Sequence, residues 1–178
     1  AAAKRLAEGD EAGVVPGPLF IHGVCGVGKT HLLQAAAHAF RERHPGAVVR
    51  SITGEAFTNE FIAAVKSGSL EAFRRHFRRV NLLVLDDVHF LSNKEATQRE
   101  LLHTFDAIGS TGAKILMASD EHPREIRKLS QQLVSRFVAG AVVKIDLPEH
   151  ALRVRIAQQA AARRGLILEP AAAELLAD

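Results

Sequence analysis

Leu19-Phe20-Ile21-His22-Gly23-Val24-Cys25-Gly26-Val27-Gly28-Lys29-Thr30 runs an apolar stretch straight into the pattern GxxxxGK[ST]. His31-Leu32-Leu33-Gln34-Ala35-Ala36-Ala37 then continues it with good helix formers. Strand, loop and helix in that order are what a phosphate cradle needs. The glycines let backbone N–H groups converge on a polyphosphate, and the helix turns its positive end towards the same point. On this reading Gly23, Gly26, Val27, Gly28, Lys29, Thr30 and His31 form a nucleotide-binding stretch. Lys29 reaches the β- and γ-phosphates, and the Thr30 hydroxyl holds Mg²⁺. A glycine-rich turn with a chance Lys-Thr is the plain alternative, and the order of elements argues against it.

Outward from this stretch, further short apolar runs alternate with helical segments. Strands are expected at residues 19–22, 47–52, 82–85, 114–117 and 142–145, and helices include 31–43, 55–66 and 95–107. Most of the strands are near-continuous apolar runs, the mark of parallel strands buried on both faces. Pro45-Gly46 and Gly109 read as stop signals. The expected fold is a doubly wound α/β sheet of five parallel strands flanked by helices, with phosphate chemistry at the carboxyl ends of the strands. After Pro148 the pattern is helical: residues 149–164, then a second helix opened by Glu169-Pro170 and running to Asp178 in mid-helix. Residues 1–147 are therefore expected to form the nucleotide-binding core. Residues 148–178 begin a helical lid that is cut short, so the chain reads as a piece of a longer protein.

The 178 residues, 47% hydrophobic and 24% charged, suit a globular domain with a real core. No apolar run nears the ~20 residues of a membrane span. The opening AAAKRLAEGD reads as a polar helical stretch without a secretory h-region. The single cysteine, Cys25, excludes an internal disulfide and fits a reducing cytoplasm. A formal charge of +3 permits an anionic partner without demanding one.

Asn81-Leu82-Leu83-Val84-Leu85-Asp86-Asp87 ends an apolar strand in two carboxylates. Beside the phosphate loop, Asp86 is placed to bind Mg²⁺ through water, and Asp87 to orient or deprotonate the attacking water. Many related ATPases carry Glu at the second position. Asp is one methylene shorter, so slow turnover is expected, suited to a switch. Met117-Ala118-Ser119-Asp120 offers a polar group at another strand end that can sense the bound nucleotide. Leu133-Val134-Ser135-Arg136-Phe137 sets an arginine in an apolar segment. Arg136 is either a surface charge or a finger that completes a neighbouring subunit's ATP site.

Together these residues resemble the ATPase domain of DnaA, the bacterial chromosomal replication initiators, within the AAA+ superfamily of P-loop NTPases. PLFIHGVCGVGKTHLLQA, GEAFTNEFIAAVKSG, FRRHFRRVNLLVLDDVHFLSNKEATQRELLHTFDAI and SDEHPREI carry the likeness, in order, over essentially the whole chain. The resemblance implies a slow ATPase acting as a switch, with ATP/ADP and Mg²⁺ as cofactors. It makes Asp120 the first sensor and Arg136 the finger that reaches the ATP of an adjacent protomer. It puts an initiator-type helical insertion at about residues 55–79. That insertion drives an ATP-dependent homo-oligomeric filament and helps line a path for single-stranded DNA, which Ile62 and Lys94 touch. It also implies origin DNA as a partner, and the replicative helicase through regions outside these residues. Gln132 stands where the family usually has arginine, and Ala96 where many members have a basic residue.

Read without the resemblance, Phe57, Phe61, Val65, Phe73 and Phe77 recur at helical spacing and are expected in the core. Arg74, Arg75, Arg78 and Arg79 form a basic patch with His76, either a solvated face or one meeting phosphates or a neighbour. The alternatives in the same clade are a helicase loader, a transposition ATPase or a regulator of the initiator. From another class, Asp86-Asp87-Val88-His89 looks like a helicase DExH box, but no Ser-Ala-Thr motif accompanies it. A small-molecule P-loop kinase would need an acceptor pocket that nothing marks.

Overall fold

A computed structural model describes residues 17–177, and the N-terminal AAAKRLAEGD stretch and Asp178 lie outside them. The chain divides into two compact units, one through Ile145 and one from Asp146.

The first unit is built on β1 (Leu19–His22), β2 (Val49–Thr53), β3 (Leu82–Asp86), β4 (Lys114–Ser119) and β5 (Ala141–Lys144). All pair in parallel, in the order β2-β3-β4-β1-β5. Alternation along the apolar runs supplies two faces. Phe20, Leu83, Leu85, Ile115 and Met117 point into one cluster. Leu19, Ile21, Leu82, Val84, Leu116 and Ala118 point into the other, against α1 (Lys29–Arg43) through Leu33, Ala36, Ala37 and Phe40. The first cluster takes α2 (Gly54–Lys66), α3 (Leu70–Arg78), α4 (Glu95–Ser110) and α5 (Gln131–Val138). β3 and β4 are buried almost throughout, whereas the edge strands β2 and β5 are half-exposed.

α2 and α3 form the helical insertion. Phe57, Phe73 and Phe77 are buried in its core, with ring centroids 4.8–5.4 Å apart, each such pair adding about 0.5–1.5 kcal/mol to plain burial. Val65 is not part of this core. It is 53% exposed, on the outer face of α2 beside Ile62. Nor does Arg74 belong to a free basic face. Its guanidinium grips the buried Glu100 of α4 through two 2.8 Å hydrogen bonds, with Glu71 as a third acceptor at 3.1 Å. These bonds hold the Arg74 pKa above its ordinary value. Such two-pronged pairing is the geometry a guanidinium is shaped for, and it joins the insertion to α4. Arg50 adds a tie to β2, 2.5 Å from Glu60 and with its guanidinium 4.2 Å above the Phe77 ring.

Gly109 does not stop α4, which continues to Ser110. Gly109 meets no crowding, and the chain turns instead at Gly112, whose φ is +72°.

The second unit holds α6 (His150–Arg163) and α7 (Pro170–Leu175). Proline opens α7, where its missing N–H costs nothing. The helix ends at Leu175 rather than running on to Asp178, with the Leu176 and Ala177 N–H groups bonded back to Ala172 and Glu174. Within the unit Arg153 donates to the carbonyls of Ala177 and Pro148.

Candidate nucleotide site

The parallel sheet brings the carboxyl ends of β1, β3 and β4 to one edge, with His22 in register with Ser119 and Leu85 with Met117. Gly23, Gly26, Val27 and Gly28 follow β1 as a loop that ends on Gly28, which precedes α1 with φ +92°. A left-handed residue here favours glycine. No side chain caps α1 and its first turn holds no acid, so the N–H groups around Lys29, Thr30 and His31 face the loop uncompensated. Thr30 and His31 are exposed, and Lys29 is buried.

The Lys29 ammonium already has three acceptors: the carbonyls of Gly23 at 2.8 Å and Val24 at 2.9 Å, and the Asp120 carboxylate at 2.7 Å. Asp120 follows β4, and β4 lies between β1 and β3. The carboxylates of β3 are therefore not on the strand next to the loop. Asp120 is the near neighbour and Asp86 lies one strand further out. Ser119 is fully buried, its hydroxyl accepting the Glu121 N–H at 3.3 Å.

Asp86 is buried at the tip of β3 and accepts the Asp87 N–H at 2.9 Å. Thr30, Ser51, Thr53 and Asp86 line one cavity of about 200 Å³. These oxygen donors are the set a hard divalent cation takes, so the residues fit Mg²⁺. Among the described residues no group of three or more His, Cys, Asp or Glu gathers to hold a metal. Phosphate and water oxygens would have to complete the shell.

Asp87 adopts the left-handed conformation, φ +52°, which Asp and Asn tolerate better than other side chains. Gly54 explains how α2 comes so close: a Cβ there would lie 2.8 Å from the Asp87 carbonyl oxygen. Burial raises the Asp87 pKa first and the Asp86 charge adds to it, with a smaller push from Asp120, while His89 and Lys29 oppose. Beside one buried carboxylate, the site thus holds a second whose affinity for a proton is raised.

Arg136 is elsewhere. On α5, its guanidinium pairs with Asp106 of α4 at 2.6 Å, and it lines a cavity with Pro18 and Lys114. Pro18 precedes β1 and Lys114 starts β4, so this is the amino edge of the sheet. At ~3.3 Å per residue, strands of four to six residues separate it from the phosphate loop by about 13–20 Å. Ile62 is 42% exposed on α2, and Lys94 precedes the first turn of α4, half-buried. Neither lies in the cradle. Sequence reading did not find the Asp120–Lys29 bond, the hydroxyls of Ser51 and Thr53, or the partners of Arg74 and Arg136. Apart from Glu71, three residues before Arg74 on the same helix, these are contacts across strands or helices far apart in the chain, with no local signature.

The family model "Bacterial DnaA ATPase domain" matches residues 1–144. The chromosomal replication initiator protein DnaA of Kosmotoga olearia is 43% identical over 162 residues, 90% of this chain and 36% of the relative. A replication initiator DnaA bound to AMPPCP and single-stranded DNA superposes with a TM-score of 0.88 at 36% identity, over 99% of this chain and 54% of that one. Domain III of the Thermotoga maritima DnaA gives a TM-score of 0.93 at 35% identity, over 99% of this chain and 73% of that one. The chain spans about a third of the length of the curated relatives, 36% of the Kosmotoga protein.

Proposed function

The chain belongs to the bacterial DnaA ATPase domain family, and from that footing we propose that it is the ATP-switched assembly module of a chromosomal replication initiator. It binds Mg-ATP, joins copies of itself into a filament through Arg136, and in that state engages single-stranded DNA to help open an origin. Slow hydrolysis is the off-switch. Reading of origin duplex and contact with the replicative helicase fall to segments outside these residues, and the working compartment is the cytoplasm. Identity to initiators over nine-tenths of the chain favours this reading over a helicase loader or a regulatory relative.

The observation that carries the proposal is the opposition of two features. Lys29 and its acceptors stand at the carboxyl edge of the sheet, and Arg136 stands at the amino edge. An arginine so placed reaches no phosphate of its own subunit but is presented to that of a stacked copy. Arginines supplied in this way contribute ~10³–10⁵ in rate where they have been dissected.

In the mechanism, the loop N–H groups and the head of α1 bind the phosphates. Lys29 gives up Asp120 for phosphate oxygens, leaving Asp120 free to report that a nucleotide is present. Thr30 and Asp86 hold the cation, which when bound offsets the phosphate charge. Asp87 orients the attacking water and accepts its proton.

Sedimentation of the longest available polypeptide carrying this domain tests the reading. Larger species are expected with ATP and not with ADP. Arg136→Ala should keep ATP affinity and lose assembly. ATP-independent assembly, or full assembly by the variant, contradicts the proposal. The DNA contact has its own check. Lys94→Ala should weaken single-strand binding and lower the slope of log affinity against log salt by about 0.7, the share of one phosphate contact. An unchanged slope removes Lys94 from the interface.

A further inference from the structure

We propose that Asp106 is a positioning residue for Arg136: it holds the guanidinium in an ion pair within the same subunit, a latch that a triphosphate on a neighbouring copy must displace. This inference rests on the finger reading above and adds a regulatory element to it.

The placement is rigid. Phe105 and Phe137, the residues beside Asp106 and Arg136, are both buried with ring centroids 5.5 Å apart, and Phe137 stacks in turn on Phe20 of β1. The backbones of α4 and α5 are thereby pinned where their side chains meet. The side chains themselves are free to part. Arg136 and Asp106 are 55% and 48% exposed, and their contact is a single 2.6 Å approach. Among the described residues the Asp106 side chain has no other hydrogen bond or ion pair. Arg136 borders a cavity of about 320 Å³ whose lining includes Gly109, Gly112 and Lys114. The guanidinium therefore has open space on one side, and room to swing away from Asp106.

A half-exposed pair of this kind closes weakly, by about 0.2–1 kcal/mol, an equilibrium constant of about 1.4–5. The competent, open fraction is then about 0.15–0.4, and apparent affinity for the next subunit falls by the same factor. A γ-phosphate carries more charge than a carboxylate and accepts both prongs of an arginine. It opens the latch, whereas a diphosphate, one phosphate short, does not.

The test compares Asp106→Asn, which removes the charge and keeps the shape, with Asp106→Glu, which keeps the charge. ATP-dependent assembly is followed against protein concentration, with ATP affinity and melting temperature measured alongside. Asp106→Asn should assemble at about two- to sixfold lower concentration, with ATP affinity unchanged, and Asp106→Glu should follow the parent. The gap should shrink as salt rises, because screening opens the parent's latch. In an Arg136→Ala background Asp106→Asn should do nothing. If Arg136→Ala abolishes assembly while Asp106→Asn leaves the threshold unchanged or raises it, the finger stands and the latch falls. If Arg136→Ala assembles normally, the finger reading fails and the latch fails with it. A purely structural role for Asp106 would lower the melting temperature and hinder assembly, which also overturns the proposal.

Discussion

Replacing Lys29 with alanine is expected to lower ATP affinity by about a hundredfold or more while leaving the chain folded. Lys29 is almost fully buried, yet its ammonium is aimed back along the loop at the carbonyls of Gly23 and Val24. Those bonds hold it at the mouth of the cradle before any nucleotide arrives, so little ordering remains to be done on binding. Hydrogen bonds to a charged group contribute about 1.5–3 kcal/mol each, and two to a polyphosphate reach a hundredfold at ~1.4 kcal/mol per decade. Arginine is not a substitute, because its planar fork does not match the close, converging set of carbonyls that a compact ammonium fills. The variant also strands Asp120, which loses its 2.7 Å partner in the empty site. Asp120→Asn is the control. It removes the same ion pair but leaves the ammonium, so ATP binding should survive where Lys29→Ala loses it. Titration calorimetry with ATP, beside circular dichroism to confirm folding, separates the outcomes. Parent-like affinity in Lys29→Ala contradicts the cradle.

Much of this was legible in the sequence because it is local. The GxxxxGK[ST] stretch fixes strand, loop and helix within twelve residues, and β3 and β4 are readable because burial on both faces leaves them almost wholly apolar. The edge strands blur for the opposite reason. Half of β2 meets solvent, so Arg50 and Ser51 interrupt it and its bounds shift to Val49–Thr53. Helical spacing put Val65 with the phenylalanines, but spacing names a face, not what covers it. α3 and α4 cover Phe57 and leave Val65 in solvent. The basic run of α3 likewise looked uniform until a buried carboxylate twenty-six positions away, Glu100, claimed Arg74 alone. The order of strands was hidden too, since nothing in the chain says that β4 slips between β1 and β3 and sets Asp120 against Lys29.

Asp87→Asn should slow hydrolysis steeply, preserve ATP binding and make the chain more stable at neutral pH. The raised pKa of Asp87 comes mainly from burial and then from the adjacent Asp86 charge, and both act against the ionised form. A carboxyl that binds protons more tightly folded than unfolded loses stability as pH rises through the window between its unfolded and folded pKa values. Above that window the native state carries the full cost of the charge. Asparagine removes it and still tolerates the left-handed backbone at φ +52°. A melting temperature above the parent's is therefore expected at neutral pH. The gain should vanish at acid pH, where Asp87 is protonated in the parent as well. Hydrolysis should fall by ~10²–10⁴, the usual contribution of a general base. In the parent, turnover should climb with pH as Asp87 ionises, with a midpoint above the ordinary carboxylate range. Alanine is the less informative replacement, because it strains the left-handed position and mixes a backbone cost into the charge effect. Parent-level hydrolysis by Asp87→Asn would remove Asp87 from the chemistry. Lost hydrolysis without added stability at neutral pH would leave the base in place but deny that its burial is what raises its proton affinity.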